Sequence, residues 1–157
     1  AAHKVAPMNE HAANAIDNWT LYKGPTQDFI EEVFCIEPKV DKNGRTLAVL
    51  TNKANTLATS VGWNQKQLPY LTVWKNTASK ADGYVTGIEP GTGYPYNRSV
   101  ERATGRLPKL KPGQTKKFRL DFGIHQGKGA VNRIVEKVNN LQGEDAPQLT
   151  TDIPNGE

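Results

Sequence analysis

Thr115-Lys-Lys-Phe-Arg-Leu-Asp-Phe-Gly-Ile-His125 sets Phe118, Leu120, Phe122 and Ile124 against Lys117, Arg119, Asp121 and Gly123. Strict apolar and polar alternation is the pattern of an antiparallel strand with one packed and one wet face. The period then changes. Val131, Ile134, Val135, Val138 and Leu141 recur at helical spacing, and Gly143 stands where a helix would end. An amphipathic helix therefore follows the strand and covers part of a sheet.

Upstream the strand pattern repeats. Arg106 to Leu110 reads as a short strand before a Lys111-Pro-Gly-Gln114 turn, and Thr56 to Trp63 alternates Leu57, Thr59, Val61 and Trp63 against smaller residues. In Leu68 to Lys75 the period puts Leu71, Val73 and Lys75 on one side and Tyr70, Thr72 and Trp74 on the other, without saying which side is core. Phe29 to Glu37 and Thr46 to Thr51 read as strands joined through Asp41-Lys-Asn-Gly44, where Asn43-Gly44 is a hairpin signal. Met8 to Asn18 has the composition of a short helix with Asn9 as its N-cap. About seven strands with turns between them and one substantial helix define a mainly β chain, an antiparallel β-sandwich. The expected organisation is a leading arm over 1–24, a sandwich portion over 25–143 and an extended tail over 144–157.

Bulk properties narrow the partners. The chain has 157 residues, with 20 Lys and Arg against 16 Asp and Glu for a net charge of +4. That excess is too small and too scattered for a nucleic-acid footprint, so no nucleic acid partner is expected. No run has the length of a membrane span, so no membrane partner is expected either, and the compartment of this soluble chain stays open. The single cysteine, Cys35, sits between Phe34 and Ile36 in an apolar run and reads as a packing residue. Cys-based metal sites lack their ligands, and no cofactor is implied.

The chemistry concentrates in Gly87-Ile-Glu-Pro-Gly-Thr-Gly-Tyr-Pro-Tyr-Asn-Arg-Ser99. Gly83 to Glu89 reads as a strand that Pro90 stops, which presents the Glu89 carboxylate at an edge facing a cleft. On composition alone, a Glu before Pro-Gly is more often a solvated strand-to-turn junction. Trp74 offers a stacking face, and Lys75, Asn97 and Arg98 offer donors for ligand hydroxyls. The plain alternatives are that Trp74 is core and that Arg98 pins the loop. Glu31 could also reach a hydroxyl, but it reads first as a surface cross-strand pair and stays outside this site.

Leu68-Pro-Tyr-Leu-Thr-Val-Trp-Lys-Asn76, Asp82-Gly-Tyr-Val-Thr-Gly-Ile-Glu-Pro-Gly-Thr92, Pro95-Tyr-Asn-Arg-Ser99 and Leu110-Lys-Pro-Gly-Gln114 resemble the C-terminal part of the aldose 1-epimerase (galactose mutarotase-like) superfamily. Within it the likeness extends upstream, in one branch, through Trp19, Tyr22 to Thr26 and Phe29 to Phe34. The resemblance implies the C-terminal portion of a large two-sheet sandwich, binding a monosaccharide or sugar derivative. It implies that Glu89 is the general base of anomer interconversion; the proximity of Tyr84, Tyr94 and Tyr96 in sequence leads to the expectation that one of them partly encloses it. In that superfamily the acid is a His from the N-terminal half, and none of His3, His11 and His125 lies in a matching motif. The expected partner is therefore an N-terminal half of the same fold or a second copy of the chain. Two further readings stand beside this one: a non-catalytic carbohydrate-binding module and a structural β-sandwich subunit.

Overall fold

The computed structural model describes residues 1–154. Its strands are β1 (Ala2–Pro7), β2 (Glu32–Pro38), β3 (Arg45–Thr51), β4 (Leu57–Asn64), β5 (Tyr70–Asn76), β6 (Val85–Gly91), β7 (Leu120–Gln126) and β8 (Gln148–Leu149). The helices are α1 (Glu10–Ala13), α2 (Arg98–Ala103) and α3 (Lys128–Gln142). One sheet has the order β6-β5-β2-β1-β8 and the other β3-β4-β7. The β1–β8 pair is parallel and the other ladders are antiparallel. The chain is thus mainly β with two sheets and one C-terminal helix.

The core lies between the sheets. Phe34 and Ile36 of β2 and Leu71 and Val73 of β5 meet Val61 and Trp63 of β4, and Trp63 and Phe34 are fully buried. Trp63 spends its one donor on the Leu68 carbonyl at 2.9 Å, as a buried indole must. On the opposite face of the small sheet, Val131, Ile134 and Val135 of α3 pack on Ala58, Leu47 and Val49. The helical spacing of the sequence therefore builds the expected cover, and Gly143, at φ 65, ends it with its N–H on the Asn139 carbonyl.

Register decides what the alternation of β7 means. Leu120 pairs with Trp63, Phe122 with Val61 and Ile124 with Thr59, so the apolar row of β7 looks toward the inter-sheet core. β7 is nevertheless an edge strand, and nothing among the described residues covers its far side: Phe122 and Ile124 are each 80% exposed. The expected packed face of this strand is open in the chain as it stands. Apolar area presented this way favours association. Phe122→Ser together with Ile124→Ser is expected to shift folding stability by less than about 1 kcal/mol, because neither side chain is packed. The same double variant is expected to reduce self-association by light scattering.

Several local expectations change in three dimensions. Residues 1–24, read as an arm, contribute β1, whose Val5 is fully buried. In the tail, read as extended, β8 pairs with β1. Asn43-Gly44 does form a turn, with the Gly44 N–H on the Asp41 carbonyl, but it carries the chain from one sheet to the other instead of closing a hairpin. The hairpin partner of β3 is β4, joined by a turn in which Asn52 Oδ1 accepts from the N–H groups of Thr56 and Leu57. Arg106 to Leu110 is irregular, and the strand expected from Thr115 begins only at Leu120. Asn9 caps a single-turn α1 by accepting from Ala12 N–H at 2.9 Å, and a separate 3-10 turn follows at Ile16–Asn18. Pro90 does not stop β6, since the strand runs on to Gly91. β6 is an edge strand, where a missing N–H is tolerated on the solvent side.

Candidate functional site

The site residues are distributed by the two faces of the five-stranded sheet. Along β5, Leu71, Val73 and Lys75 turn to the core, and Tyr70, Thr72 and Trp74 turn to the other face. Glu89 pairs with Thr72 and Gly87 with Trp74, so the carboxylate and the indole share that second face, one strand and two residues apart. The Glu89 carboxylate folds back over Gly87, where any Cβ would collide with its Oε1. A glycine at 87 is what lets the acid lie flat beside the tryptophan. Trp74 is half-buried and donates its Nε1–H to Glu31 Oε2 at 2.7 Å.

Lys75 is elsewhere. It is 3% exposed, on the core side, with its ammonium 2.6 Å from Glu32 Oε2 and 3.1 Å from the Asn18 carbonyl. The Tyr22 and Phe34 rings lie 5.6 and 5.2 Å from it. These contacts satisfy a buried cation and leave it facing away from Glu89. Asn97 and Arg98 are exposed at the start of α2, in the segment that follows β6. The structure brings Glu89 and Trp74 to one face and separates Lys75 from them.

The tyrosines expected around Glu89 have other partners. Tyr94 packs with Ala6 and Cys35, its ring centroid 4.6 Å from that of Tyr70. Tyr96 O–H donates to the Met8 carbonyl and Tyr84 O–H to the Lys23 carbonyl. Glu89 is accordingly exposed, and it does not line the cavities of 770, 470 and 190 Å³. The smallest of these is bordered by Glu37, Tyr70, Tyr94 and Arg106. No cleft forms in front of Glu89, which stands exposed on an edge strand, while Tyr94 and Tyr96 pack over Cys35 on the same face of the sheet.

Two groups with no clear sequence signal organise the loop after β6. Glu101 of α2 is 5% exposed and grips Arg106 through three hydrogen bonds of 2.7, 3.0 and 3.1 Å. Its Oε2 also accepts the Tyr94 N–H at 3.0 Å. Gly93 is required beneath it, because a Cβ there would meet Glu101 Oε2. Arg106 lies 5.1 Å from the centre of the Tyr94 ring and donates to the Pro154 carbonyl. Burial opposes the guanidinium charge, but the hydrogen bonds and charge of Glu101 outweigh it and hold Arg106 above its ordinary range. A Glu-x-x-x-x-Arg spacing across a helix end was the only hint available.

Cys35 is fully buried, and burial pushes its thiol up to about 12. Burial also raises the phenols of Tyr94 and Tyr96. Above about pH 9 the unfolded Cys35 ionises while the folded thiol keeps its proton. The folded state then binds more protons, so stability falls as pH rises from about 9 toward 12, with the tyrosines adding to the loss at the upper end. Thermal melting across that interval is expected to show the decline, with a shallower slope in Cys35→Ala. Without denaturant, a thiol reagent at pH 8 is expected to label Cys35 only slowly.

This two-sheet arrangement is an aldose 1-epimerase-like fold. It superimposes with a TM-score of 0.94 on a crystal structure from Klebsiella pneumoniae subsp. pneumoniae MGH 78578 described as a "putative aldose 1-epimerase", at 38% identity. The match covers 97% of this chain and 40% of that one, so the chain spans less than half the length of its structural relative. Residues 1–124 match the family model described as "Domain of unknown function (DUF4432)", and the chain belongs to that family. No curated protein matches the sequence. Among the described residues no helix is long and apolar enough to cross a membrane.

Proposed function

We propose that this chain is the glutamate-bearing portion of a sugar mutarotase, which interconverts the anomers of a free monosaccharide. Glu89 removes the proton of the anomeric hydroxyl, an acid protonates the ring oxygen, and the ring opens, rotates and recloses. Trp74 supplies the stacking face on the same side of the sheet, and Asn97 and Arg98, in the segment that follows β6, are hydroxyl partners. Lys75 has no part in ligand contact in this reading, given its place in the core. The acid comes from the polypeptide that completes the fold, an N-terminal half or a second copy, which also covers Phe122 and Ile124.

The observation that carries this reading is that Glu89 and Trp74 share one face of an aldose 1-epimerase-like sheet, on neighbouring strands. Polarimetric mutarotation of D-glucose and D-galactose by the completed protein, with wild type and Glu89→Gln side by side, tests it. A second reading, a carbohydrate-binding module without chemistry, is favoured by the exposure of Glu89. Sugar binding with no anomerisation by the completed protein would select that second reading.

A further inference from the structure

Glu31 lies just before β2 and was read from sequence as a surface residue, yet its carboxylate is the acceptor of the Trp74 indole N–H at 2.7 Å. The backbone beneath the indole is held on both sides. Trp74 pairs with Val33 on β2 and Gly87 on β6, and its carbonyl accepts from Thr86 Oγ1 at 2.6 Å. A charge-assisted bond at the indole edge then fixes the plane of the ring, since χ2 is otherwise soft for an aromatic side chain. On the β6 side the neighbour is a glycine, with the Glu89 carboxylate laid over it. The indole is thus bracketed by a carboxylate at its N–H edge and another across the adjacent strand.

We infer that Glu31 is a positioning residue of this site, locking Trp74 as a platform for an uncharged pyranose whose reacting hydroxyl meets Glu89. The inference rests on the mutarotase reading and adds to it a residue that orients the sugar platform. A pyranose offers an apolar C–H face to the indole and hydroxyl donors to carboxylates. Two carboxylates around one ring disfavour an anionic sugar.

The test compares wild type, Glu31→Ala, Glu31→Gln, Trp74→Phe and Glu89→Gln in mutarotation of D-glucose, D-galactose and D-glucose 6-phosphate, with the indole N–H resonances recorded by NMR. Trp74→Phe assigns the Trp74 resonance. Glu31→Ala is expected to move that resonance and to raise KM about tenfold with kcat nearly unchanged, because a platform binds ground and transition states alike. Glu31→Gln, which keeps an acceptor oxygen, is expected to restore KM, and D-glucose is expected to have a lower KM than its 6-phosphate. An unchanged KM in Glu31→Ala, or a preference for the phosphate, overturns this inference while leaving the mutarotase reading intact. No turnover by the wild-type chain joined to the polypeptide that completes its fold, with no sugar-induced movement of the Trp74 resonance, overturns the mutarotase reading itself.

Discussion

Glu89→Gln is expected to lower mutarotation roughly 100- to 10,000-fold, the range that a positioned general base contributes, with sugar affinity nearly unchanged. Glutamine keeps the size and one acceptor oxygen, so a ligand stacked on Trp74 would still be held. What is lost is the ability to carry the anomeric proton. The carboxylate position matters as much as its identity, since the acid lies over Gly87. Gly87→Ala pushes an exposed, flexible side chain away and is therefore expected to spare folding while lowering kcat. Loss of rate in Glu89→Gln without loss in Gly87→Ala would mean that the resting position of the acid is not its working one. Equal rates in wild type and Glu89→Gln would remove the base assignment altogether.

Glu101→Ala is expected to destabilise the fold by about 3–5 kcal/mol, the cost of leaving a buried cation without its partner. The Arg106 side chain is 11% exposed and that of Glu101 6%, so solvent can do little to replace the lost bonds. The Tyr94 N–H would lose its acceptor at the same time. Urea unfolding of the single variant and of Glu101→Met with Arg106→Leu measures the effect. The double replacement is expected to recover most of the loss, because removing both charges leaves no uncompensated ion. A single variant within about 1 kcal/mol of wild type would show that the loop does not depend on this pair.

Much of the layering was legible because period is a local property. The alternation of Val61 and Trp63 named a packed face, and the spacing of Val131, Ile134 and Val135 named a helix face, and both pack as read. The same period could not say whether Lys75 or Trp74 faced the core, since both are large and each side of β5 mixes polar and apolar residues. Only the second sheet, built from distant segments, decides it. β1 escaped notice for a related reason: Ala2, Val5 and Ala6 are small, and their burial comes from pairing with β2 more than twenty residues away. Asn43-Gly44 announced a turn correctly, but a turn does not choose the strands that flank it. In the site, Glu89 and Trp74 were visible as motif residues. Glu31 was not, because its hydrogen bond spans a separation of 43 residues.

Pro90 sits next to Glu89 on a strand whose outer side is free. A proline there deprives that border of a donor just where a further strand would need one to zip on. Any polypeptide that completes this scaffold can extend it readily elsewhere, but beside the carboxylate the backbone refuses a regular neighbour. On that flank the acid stays open to solutes arriving from solution.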